Sequence, residues 1–185
     1  MKMRPILRLH GPMRRSASLN VPSYASLGLP SLEPFARNLG HILFAVVLSA
    51  CGRPFDIKTP SGMVELDKTT EYPYRAMTPD GVVLGVRVVK DSKAGVPFWA
   101  QAVALHMKEL SGYALLATRE VASLDGSKGT ELTFGHDESG KPYTYVVRLF
   151  AENERLFVVE AGGTKDEMER AKPTVEWALA TLKVK

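Results

Sequence analysis

A single cysteine in 185 residues excludes an intramolecular disulfide and any all-thiolate metal site. A hydrophobic run long enough to span a bilayer is missing as well. The apolar stretch Ile42–Leu48 has seven residues, or nine with Ser49 and Ala50, well short of the ~20 that a transmembrane helix needs. Charge of one sign is scarce in the larger part of the chain. The net charge of +4 arises in residues 1–50, which carry a net +5, whereas residues 51–185 carry a net −1. A near-neutral body offers no phosphate-binding surface, so nucleic acid is not an expected partner.

Catalytic and metal-binding signatures are equally sparse. The spacings His-x-x-x-His, Cys-x-x-Cys and the EF-hand loop do not occur, nor does a Gly-x-Ser-x-Gly elbow. Gly126-Ser-Lys-Gly129 reads as a turn, not a phosphate loop, and no cofactor is expected. Beyond residue 50 there are two histidines. His106 falls on the apolar face of a predicted helix, where a packed or boundary histidine is expected. His136-Asp137, at a predicted strand end beside Glu138-Ser139-Gly140, is the one place where a Ser/His/Asp set could assemble. Such a set requires ordering in space, not adjacency in sequence.

What the chain does have begins before the cysteine. Residues 1–40 are rich in Arg, Ser, Pro and Leu and show no sustained period, a loop or disordered composition. Arg37 then precedes the short apolar run, and the run ends in small residues, the layout of a secretory signal. Leu48-Ser49-Ala50-Cys51 resembles the lipobox of bacterial lipoproteins: aliphatic, small, small, cysteine. The resemblance implies diacylglycerol on the Cys51 sulfur, cleavage after Ala50, and often acylation of the new amino group. A thiolate suits this chemistry because it is the strongest side-chain nucleophile available. Signals of this kind usually run ~15–30 residues, so Cys51 lies deep. A true translation start later than Met1, with residues 1–35 outside the mature gene product, is the expectation. The competing reading keeps the chain in the cytosol and packs Ile42–Ala50 into the core.

Residues 1–50 are thus expected to be a leader and signal peptide, residues 51–62 a tether, and residues 63–185 one domain. Tyr72–Thr78 and Val82–Lys90 flank Pro79-Asp80-Gly81, a hairpin signal in which proline fixes φ and glycine accepts positive φ. Pro97–Leu110 reads as a helix with Trp99, Val103, His106 and Leu110 on one face and Phe98, Ala102 and Leu105 beside it; Pro97 suits its first turn and Gly112 its stop. Strands are expected over Tyr113–Val121, Thr130–His136, Tyr143–Phe150 and Arg155–Ala161. The last three are joined by short connections, so the pairing should be antiparallel. Alternation along Tyr143–Phe150 predicts one wetter face. Thr164-Lys-Asp-Glu167 is a capping box, opening a helix with Met168, Ala171, Val175, Ala178 and Leu182 as its buried stripe. Pro173 should kink or split that helix. Arg75, Arg87 and Arg148 are expected on an exposed sheet face, and Tyr72, Tyr74, Tyr143 and Tyr145 at the edge of the core with wet hydroxyls.

The fold class is therefore α+β, an antiparallel sheet with two main helices packed on it, preceded by a disordered or helical signal segment. The element order, the strand Gly129-Thr-Glu-Leu-Thr-Phe134 and the closing helix Val175–Leu182 resemble the PsbP-like fold of photosystem extrinsic subunits and many small bacterial lipoproteins. That resemblance implies extracytoplasmic binding or assembly, mostly without catalysis. The expected function is a lipid-anchored protein of the cell envelope, on the periplasmic or outer-membrane face. Membrane lipid is its partner through acylated Cys51, and a second envelope protein is a further candidate. The alternative is an envelope hydrolase using loop residues around His136.

Overall fold

The computed structural model describes residues 52–185. Leu48, Ser49, Ala50 and Cys51, and with them the question of whether residues 42–50 pack into a core, lie outside the described residues.

β3 (Tyr74–Met77) and β4 (Val83–Val89) form the expected hairpin, and Gly81 takes φ 100° in its turn. α1 (Val96–Ser111) carries Pro97 in its first turn and stops at Gly112, whose φ of 68° is left-handed. β5 (Ala114–Ala122), β6 (Lys128–Glu138), β7 (Lys141–Glu152) and β8 (Arg155–Thr164) follow as an antiparallel meander. α2 (Lys165–Ala180) then starts at Thr164, with both hydrogen bonds of the capping box in place.

With the short strand β2 (Val64–Glu65), the main sheet has seven strands in the order β2-β3-β4-β8-β7-β6-β5. The chain crosses from β4 to the far edge through α1 and returns strand by strand, so that β8 closes onto β4. Two short strands, β1 (Phe55–Asp56) and β9 (Lys183–Val184), pair with each other. The tether expected over residues 51–62 is therefore interrupted: Phe55 is fully buried and Ile57 nearly so. Burial of these apolar side chains outweighs the Pro- and Gly-containing loop composition on which the expectation rested.

Strand parity places the helices on opposite faces. Leu84 and Val86 of β4, Phe150 of β7, and Phe157, Val159 and Ala161 of β8 pack in one core with Met168, Ala171, Val175, Ala178 and Leu179 of α2. The intervening residues Tyr145, Val147, Leu149, Leu156 and Val158 point the other way and are also buried. α1 covers β5–β7 on that side with Val103 and Met107. β7 accordingly has no wet face over its central residues, in contrast to the alternation-based expectation. On α1, Phe98 and Leu105 are more than half exposed, because the helix buries the narrower stripe through Val103 and Met107. α2 is not split at Pro173. The proline is on the exposed side of the helix, where water can take up the carbonyl it leaves without a donor.

Candidate functional site

Of the three arginines expected on a solvated face, Arg87 and Arg148 are buried instead, and Arg75 is partly exposed. Arg119 of β5, Glu131 of β6 and Arg148 of β7 are consecutive cross-strand partners on the α2 side. Glu131 receives Nε of Arg119 and Nε of Arg148, each at 2.5 Å. Glu176 of α2 closes the ring, 3.1 Å from Arg119 Nη2 and 3.0 Å from Arg148 Nη2. Burial alone would raise the pKa of Glu131. The hydrogen bonds from Arg119 and Arg148 outweigh it and hold the carboxyl below its ordinary value. The ring ties α2 to the outer strands, and each of its four charges has an opposite partner.

Beside this ring lies a groove of about 440 Å3 between α2 and β5–β7. Leu116, Ala117, Val146, Met168, Val175 and Leu179 supply its apolar walls, and Lys165, Glu169 and Lys172 stand along its α2 side. The volume and apolar lining fit a binding groove. Arg119, Glu131 and Glu176 are committed to the ring and Lys165 pairs with Glu169, so among the described residues only the Lys172 ammonium in the groove has no ion pair.

A second polar cluster lies on the α1 side. Glu160 is buried and accepts from the Tyr72 hydroxyl at 2.8 Å and from Arg87 through both Nε and Nη2. Arg87 also lies over the Tyr72 ring. Burial, reinforced by Glu160, pushes the Tyr72 and Tyr145 hydroxyls well above their ordinary values, so both are neutral donors. Tyr74 is likewise buried, its hydroxyl 3.1 Å from Thr59 Oγ1. Three of the four tyrosines expected at a wet margin thus belong to the interior.

His136 makes no hydrogen bond or ion pair with a serine or a carboxylate among the described residues. Its Nδ1 is 3.0 Å from the Gly112 carbonyl, which can only accept, so this nitrogen carries the proton. Its ring stacks on Tyr113 at 4.7 Å. Asp137 receives the Gly140 amide in the β6–β7 turn. The Ser/His/Asp grouping imagined there is not assembled, and the hydrolase alternative gains no geometric support. His106 is half-buried on α1. No group of three or more metal-ligating side chains occurs among the described residues.

Sequence reasoning missed Arg119, Glu131, Glu160 and Glu176. The available signal was charge inside otherwise apolar strands: Arg119 and Glu131 in adjacent strands, and Glu160 directly after Leu156-Phe-Val-Val159. Charged residues in central strands require buried partners. Which partner each takes depends on register, which the sequence does not state.

No helix among the described residues is long and apolar enough to cross a membrane. No protein-family model matches the chain, and no curated protein matches it in sequence. Solved structures do match in fold. One is LpqN of Mycobacterium tuberculosis, described as involved in cell envelope biogenesis, with a TM-score of 0.60 at 13% identity over 70% of this chain and 82% of that one. Another is the cyanobacterial PsbP protein of Synechocystis sp. PCC 6803, with a TM-score of 0.51 at 11% identity over 71% of this chain and 87% of that one. The arrangement of strands and helices described above is the PsbP-like fold.

Proposed function

We propose that this chain is a non-enzymatic binding or assembly module of the cell envelope, held to a membrane by lipid on Cys51. The observation that carries the reading is the apolar groove between α2 and β5–β7, whose carboxylates are all held in ion pairs and whose walls suit binding, not bond-making. The fold it shares with a protein of mycobacterial envelope biogenesis supports the location. The Leu48-Ser49-Ala50-Cys51 motif supplies the means of attachment.

The early start of the fold gives the anchor a physical consequence. Phe55 is already in the core, so a lipid on Cys51 is joined to the folded body by a few residues spanning at most about 14 Å. The domain then sits against the membrane surface instead of ranging away from it.

Mass measurement on the membrane fraction, comparing the wild type with Cys51→Ala, tests the anchor. The wild type should lose everything before Cys51 and carry two or three acyl chains, since one chain holds a protein only marginally. Cys51→Ala should leave the membrane. A soluble wild-type product retaining its leader would overturn the assignment.

A further inference from the structure

Among the described residues the sheet ends in two unpaired edges of different character. β2, at one end, is two residues long. β5, at the other, is nine residues long and exposed along nearly its whole length. Leu115 and Leu116 face opposite sides of the sheet, and a bulge between Leu115 and Ala117 puts Leu116 on the same face as Ala117. Leu115 pairs with Phe134 and faces α1. Leu116 occupies the space into which a side chain at position 135 would project, and faces α2. They are 45% and 64% exposed. Leu116 borders the 440 Å3 groove already described, and Leu115 borders an open groove of about 740 Å3 formed with Leu105, Lys108 and Tyr113. Further along β5, Arg119 is engaged by Glu131 and Glu176, whereas the exposed Glu120 has no ion pair among the described residues.

We infer that β5 is the docking edge for an extended segment of a partner protein, which adds to the sheet with apolar side chains over Leu115 and Leu116 and a lysine or arginine opposite Glu120. The inference rests on reading the domain as a binding module and names the class of its partner. Strand addition draws affinity from backbone hydrogen bonds and selectivity from alternate side chains. An edge strand supplies the first, and the two grooves supply the second.

Bulges and charges also serve to guard edges against pairing. A guarded edge, however, gains nothing from two exposed leucines at the bulge. A second copy of this chain is a poor occupant. Antiparallel self-pairing centred on Thr118 would set Ala117 against Arg119 and bring Leu116 level with Glu120, which faces the other side of the sheet, so neither leucine nor glutamate meets a matching group. A small apolar molecule would fill one groove and leave the strand edge and Glu120 unmatched.

The test uses the full chain carrying Cys51→Ala, so that docking is read apart from anchoring. The probe is a synthetic peptide of about ten residues alternating valine and threonine, with leucines at one end and an arginine placed to meet Glu120. Binding should slow amide exchange across residues 114–122. Replacing the peptide's arginine by glutamate should weaken binding by up to about fivefold, and Glu120→Lys should reverse that preference. Leu116→Lys, at an exposed position, should abolish binding with the fold intact. Unprotected β5 amides, an unreversed preference, or β5 protection accompanied by dimerisation without peptide would each overturn the inference. Acyl chains found on wild-type Cys51 alongside any of these outcomes would leave the envelope reading standing.

Discussion

Gly129 lies across the β6–β7 ladder from Phe150, and the space a side chain would need there is already filled. A Cβ at this position would fall 2.5 Å from the Leu149 carbonyl oxygen and 2.6 Å from ring carbons of Phe150. Phe150 is itself part of the α2-side core, so its ring cannot swing away without opening a cavity. Gly129→Ala should therefore lower stability by about 1–3 kcal/mol, read as a shift in the midpoint of chemical denaturation. An unchanged midpoint would mean that the ladder shifts at no cost and the ring is not fixed. Glu131, two residues on, illustrates a different constraint. It stays ionised in the interior because two guanidinium groups reach it, and its geometry depends on three strands and a helix arriving together.

At the scale of elements, most of the architecture was legible because each signal had a local cause. The Pro-Asp-Gly turn, the proline and glycine bounding α1, and the capping box of α2 all describe backbone chemistry within a few residues. What escaped depended on distant partners. Phe55–Asp56 is a strand because Lys183–Val184 lies beside it, and nothing near Phe55 announces that. β7 is covered on both faces because α1 and α2 sit on opposite sides of the sheet, a fact set by chain path. The candidate site shows the same division. The histidine that drew attention stacks on a tyrosine, while the groove and its ion-pair ring arise from strand register. Pro173 marks where a local rule is overridden, since capping and a buried stripe on α2 carry the helix through it. A proline in a helix interior costs about 3 kcal/mol relative to alanine, offset in part by the stiffer unfolded chain. Pro173→Ala, on the exposed side, should raise stability by about 2 kcal/mol in thermal or denaturant unfolding. Absence of any gain would show that packing along α2 is adapted to the proline.

At the scale of the whole molecule, the ion-pair ring predicts how stability depends on acidity. The pKa of Glu131 is lower in the folded protein than its ordinary value of 4.5, so between those two values the unfolded chain binds more protons. Its contribution is fully present above the ordinary value and is lost as pH falls through the depressed one. Protonation there removes the acceptor shared by Arg119 and Arg148 and leaves both cations leaning on Glu176 alone. Asp56, Asp80 and Asp125 are also lowered, so the wild-type curve by itself reports several groups at once. The comparison with Glu131→Gln isolates one. That variant should be less stable near neutrality by about 3 kcal/mol, the lower end of the range for breaking a buried pair, because Arg148 keeps Glu176. It should also lose less on acidification, so that urea midpoints measured from about pH 7 to about pH 3 converge on those of the wild type. Parallel curves would place the acid sensitivity in the exposed aspartates instead, and the ring would then hold α2 on the sheet without the Glu131 charge contributing to it.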